Sequence, residues 1–104
     1  MFPSKGVNNM EGLRNDVNKM IKITGLEKYN NLTNIILEEL NEMVKAFDEC
    51  EFYYEIQMKI TLHSRNIFRK GINIVEEPDD ILKVSYLSKM IKKRILNILS
   101  KSVA

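Results

Sequence analysis

Six side chains have types that could do chemistry: Cys50 as a nucleophile, His63 as an acid–base group, and Glu38, Glu39, Glu42 and Glu49 as carboxylate metal ligands. Cys50 falls at helical spacing from Met43, Phe47 and Tyr54, the place of a small buried hydrophobe rather than of an exposed thiolate. His63 is flanked by Ser64 and Arg65, and no Gly-x-Ser-x-Gly or recognised Cys–His arrangement involves these residues. A di-iron bundle needs a Glu-x-x-His pair on each of two inward-facing helices, yet the position three before the only histidine is Ile60. The glutamates are expected instead along the outer side of a helix. The sequence therefore predicts no catalytic residue, no metal site and no cofactor. A lone cysteine cannot close an internal disulfide, which fits a reducing, cytoplasmic setting.

The elements that must position these residues read as helices. Residues 1–8 hold Pro3, Gly6 and Asn8 and read as a flexible start. The remainder, 9–104, is expected to be one helical domain, with 44% hydrophobic and 29% charged residues in a chain of 104, ordinary values for a folded soluble protein. Met10, Leu13, Val17, Met20 and Ile21 predict a helix at about 9–24, closed by Gly25 as a left-handed cap. Tyr29, Leu32, Ile36, Leu40, Met43, Phe47 and Cys50 are spaced by three and four and predict a second at about 28–50. After Pro78, Asp79 or Asp80 is the expected N-cap of a last helix at about 79–101, whose apolar side carries Val84, Leu87, Met90, Ile91, Ile95 and Ile98.

The stretch from Glu51 to Gly71 admits two readings. Phe52, Tyr54, Ile56, Met58, Ile60 and Leu62 alternate with Tyr53, Glu55, Gln57, Lys59, Thr61 and His63, the pattern of a half-buried strand. That version is an α+β fold with a β-hairpin at about 52–75. Against it, no Gly or Pro occurs from Leu26 through Lys70, and Arg69 and Lys70 before Gly71 look like a helix end. The reading adopted is a helix at about 51–70, giving an all-α bundle of three to four helices. Such a helix carries two opposed stripes, one of Phe52, Ile56 and Ile60, the other of Tyr54, Met58 and Leu62, and so suits a place between two neighbours.

Charge is segregated behind a net +2: residues 27–55 hold eight acidic and two basic residues, and 79–104 hold six basic and two acidic. A basic amphipathic helix suits an acidic protein face or nucleic-acid phosphates, which makes Lys83, Lys89, Lys92, Lys93, Arg94 and Lys101 candidate contacts for nucleic acid or an acidic partner. No apolar run approaches the roughly 18 residues of a membrane span. The function expected is a small non-enzymatic interaction module, a homodimer using Tyr54, Met58, Leu62, Leu87 and Ile91 for self-association. The alternative is a nucleic-acid-binding regulator or accessory protein that uses the basic helix. Neither reading names a biological process.

Overall fold

In the computed structural model, which describes residues 10–103, the three-and-four spacing of apolar residues becomes four helices: α1 (Met10–Thr24), α2 (Asn30–Glu49), α3 (Tyr53–Ile74) and α4 (Pro78–Val103). The flexible start expected at 1–8 lies outside the described residues. Each helix packs on its sequence neighbour and α4 closes back onto α1. Short connections make the neighbours antiparallel, as the residue pairs show: Leu32 meets Gly71 while Glu39 meets His63, and Gly71 meets Val84 while Ser88 meets Ser64. At about 1.5 Å per residue, the 26 residues of α4 run nearly the full 43 Å length of the molecule.

Gly25 performs the expected stop. Its φ of +74° is the left-handed region, and its N–H donates to Lys22 C=O while Leu26 N–H donates to Ile21 C=O. This is the paired bonding of a Schellman cap, and it swings Leu26 fully into the core. The α2–α3 break uses neither Gly nor Pro. Cys50 and Phe52 take extended backbone, and Glu55 Oε2 accepts the backbone N–H groups of both Glu51 (3.0 Å) and Phe52 (3.3 Å). One glutamate in the first turn thus satisfies the N-cap donor that a new helix leaves open and also the N–H just before it.

The hairpin alternative is not what the chain forms, because the described residues contain no strand. Ile56, Ile60, Ser64, Ile67 and Gly71 are all buried, at spacings of four, four, three and four. Two of these five are small residues, so counting large hydrophobes alone conceals the helical stripe. Gly71 does not end the helix, which continues to Ile74. Its role is close approach: a Cβ there would sit 2.6 Å from Val84 Cγ1 and 3.2 Å from Leu32 Cδ1. At the start of α4, Pro78 is the first helical residue and Asp80 lies inside the first turn rather than capping it, the position where proline loses no hydrogen bond.

The core gathers Leu13, Val17 and Ile21 from α1, Leu32, Ile36, Leu40 and Met43 from α2, Ile56, Ile60 and Ile67 from α3, and Val84, Leu87, Ile91 and Ile95 from α4. Leu87→Ala or Ile91→Ala should each cost about 2–5 kcal/mol, the range for truncating a fully buried aliphatic side chain. Gly71→Ala should also destabilise, by about 1–2 kcal/mol, since overpacking against a stiff Val outweighs the better helix propensity of alanine. Urea unfolding of the three variants checks both values.

Candidate functional site

Two acidic side chains sit inside the bundle, and each is caged by cations or hydroxyls. Asp80 is fully buried. Its Oδ2 accepts a hydrogen bond from Tyr29 Oη at 2.7 Å and lies 3.2 Å from Lys28 Nζ, while Oδ1 lies 3.2 Å from Lys83 Nζ. Lys28 also reaches Glu77, and Tyr29 Oη accepts the backbone N–H of Glu76. The cluster fastens the α1–α2 connection to the α3–α4 connection at one end of the bundle. The Tyr29 hydrogen bond, assisted by both lysines, lowers the Asp80 pKa to about 2.

Glu39 is the second caged carboxylate, only 6% exposed, and not on the outer side of its helix as expected. Oε2 lies 2.7 Å from His63 Nδ1, and Lys70 Nζ donates to Oε1. Desolvation pushes this carboxyl up, but the hydrogen bonds from Lys70 and His63 prevail and hold it below its ordinary value. An ionised carboxylate only accepts, so Nδ1 of His63 carries the proton. A carboxylate-oriented imidazole can activate a nucleophile; here Lys70 takes the other oxygen, and burial pushes the Cys50 thiol pKa up, away from reactive thiolate. What the cluster does is clamp α2 to α3. Among the described residues no three His, Cys, Asp or Glu side chains converge on a point that could hold a metal ion.

The six candidate cations of α4 do not form one patch. Lys83 is held by Asp80, and Arg94 by Asp16 of α1, with Nη2 and Nε both 2.9 Å from Oδ2. Lys93 and Arg94 edge a recess beside Met20 and Met90, whereas Lys89 and Lys92 line another between α3 and α4 together with Arg65. Lys101 is exposed at the far end of the helix.

The five candidate self-association residues also separate. Leu87 and Ile91 are fully buried in the chain's own core, so they are not surfaces for a second copy; their apolar face is satisfied by α1, α2 and α3. Tyr54, Met58 and Leu62 remain together and outward, 60%, 65% and 50% exposed. Phe52, also exposed, stacks on Tyr54 with ring centroids 5.8 Å apart. The three line a trough of about 820 Å³ along the outer side of α3, with Glu49 and Glu55 towards one end and Lys59 and Arg65 towards the other.

Compared with protein-family models, with curated proteins and with solved structures, the chain has no match in any of the three. No helix among the described residues is long and apolar enough to cross a membrane.

Both caged residues were marked in the sequence by position. Glu39 lies three after Ile36 and four before Met43, and Asp80 four before Val84 and seven before Leu87, so each stands on its helix's apolar seam. Asp80 makes a pH prediction. Its pKa is depressed when folded, so its stabilisation is complete well above the unfolded value of about 3.9 and is lost as pH falls towards 2. Wild type should lose stability through that window. Asp80→Asn should be less stable at neutral pH and show a flatter decline across it, as measured by urea midpoints against pH.

Proposed function

We propose that this chain is a small interaction module that self-associates through the outer face of α3. The observation that carries the reading is the row Tyr54, Met58 and Leu62, three large apolar side chains at i, i+4 and i+8, each half or more exposed. An ordinary soluble helix turns one apolar stripe inward and a polar face outward; α3 buries Ile56, Ile60 and Ile67 and still presents a second stripe.

The occupant that best fits the trough is a second copy of α3 running antiparallel. A two-fold axis at Met58 sets Tyr54 opposite Leu62 of the other copy and Met58 opposite itself. The same operation lays the acidic end, Glu49 and Glu55, against the basic end, Lys59 and Arg65. Such a surface is self-complementary in shape class and in charge, which an isologous dimer requires. Tyr and Met at its centre are residue types enriched in contact surfaces.

The nucleic-acid reading has less support, since two of its six cations already hold Asp80 and Asp16 and the others are split, Lys89 and Lys92 in one recess, Lys93 in another and Lys101 at the far end of the helix. Analytical ultracentrifugation separates the two readings. Wild type should sediment as a reversible dimer of the 12.2 kDa chain, and Met58→Asp should sediment as a monomer because it places two carboxylates face to face on the axis. Its monomeric fold should stay within about 0.5 kcal/mol of wild type, as for other exposed substitutions. A wild-type protein that remains monomeric at high micromolar concentration would contradict the proposal.

A further inference from the structure

We infer a phosphate-binding site in the recess between α3 and α4, where Arg65, Lys89 and Lys92 surround the hydroxyls of Ser64, Ser85 and Ser88. The recess measures about 260 Å³, and none of its lining residues is acidic. None of the three cations has an ion-pair partner among the described residues. Three uncompensated positive charges brought to one concavity repel one another, and a bound anion removes that repulsion.

The hydroxyls give the recess directional chemistry. Ser88 Oγ donates to the backbone C=O of Ser64 at 2.6 Å, so its role is to hold α3 and α4 together at the floor. The Ser85 side chain makes no hydrogen bond among the described residues. Ser64 is only 6% exposed, and its Oγ is enclosed without a hydrogen-bond partner. That hydroxyl is closed to solvent and lies behind the recess, so the groups that face an anion are Arg65, Lys89, Lys92 and the Ser85 hydroxyl. Arginine with two lysines and the free Ser85 hydroxyl is a donor set suited to a phosphate dianion. The volume lies below the roughly 300 Å³ at which pockets begin to enclose drug-sized ligands, so the site takes the phosphate group itself, as the free ion or as the head of a small monoester. This inference does not depend on self-association: Arg65 and Thr61 border both the recess and the α3 trough, but Lys89, Lys92 and Ser85 lie outside the trough.

The test is a titration of the full chain with inorganic phosphate at constant ionic strength, followed by amide chemical shifts and repeated with glycerol phosphate. Saturable shifts at Ser64, Ser85 and Ser88 are expected. Lys92→Gln should weaken binding about tenfold by removing one charge-assisted contact, while Lys93→Gln, away from the recess, should leave it unchanged. Ser85→Ala should weaken binding severalfold and leave the melting temperature of the phosphate-free protein unchanged, a combination that a purely structural serine does not produce. Saturation by both ligands assigns the site to phosphate monoesters, and saturation by phosphate alone assigns it to the free ion. Shifts that grow linearly without saturating, or that weaken equally in Lys92→Gln and Lys93→Gln, would overturn the inference. Titrating Met58→Asp as well keeps the two proposals apart, because the recess should bind at least as well in a monomer, where Arg65 faces no acidic partner.

Discussion

The position of α3 is the constraint on which this bundle depends. It packs against both α2 and α4, and its buried row of Ile56, Ile60, Ser64, Ile67 and Gly71 must serve the two neighbours at once. Only small residues let a helix approach two partners closely, and the space beside Gly71, already filled by Val84 and Leu32 methyls, shows how tight the approach is. With its inner arc committed in this way, α3 turns the remaining arc outward. Tyr54, Met58 and Leu62 occupy that arc, so the surface proposed for association follows from the way the core is packed.

Charge inside the bundle sets register rather than supplying bulk stability. Glu39 between His63 and Lys70 pins α2 to α3, and Asp80 between Tyr29, Lys28 and Lys83 pins the two connections at one end. A buried carboxylate is costly unless paired, so a slip of either helix by one turn would leave an ionised group enclosed without its cations. α1 is tied more lightly, through its apolar row and the polar contacts Asp16 to Arg94 and Arg14 to Asn41. The two clamps also engage charges that look available in sequence: Lys83 pairs with Asp80, and Lys70 and His63 with Glu39.

Much of the fold was legible from spacing. The long row from Tyr29 to Cys50 gave α2 to within about two residues at each end, and Gly25 marked the end of α1 through a backbone conformation that favours glycine. The helix between Glu51 and Gly71 competed with a strand because its two apolar stripes, one inward and one outward, superpose into perfect alternation over twelve residues. Ser64 and Gly71, which complete the inward stripe, carry no hydrophobic signal. The site was harder to read. Pattern placed Leu87 and Ile91 correctly on a buried face but could not say that the same chain covers it, and it assigned Glu39 to an outer surface because a charge was presumed to seek water. Nor does α4's basic charge say which cations find partners, since the partners, Asp16 for Arg94 and Asp80 for Lys83, depend on how the helices close.

A disulfide trap would test the proposed meeting of two copies across α3 with Met58 on the symmetry axis. In a Cys50→Ala background, Met58→Cys is predicted to cross-link rapidly to itself under mild oxidation and to give a covalent dimer with the wild-type helical spectrum. Cysteine at the exposed Lys93 of α4 serves as the comparison. Failure of Met58→Cys to cross-link while Lys93→Cys does so would rule out association through α3 and move the contact surface to α4.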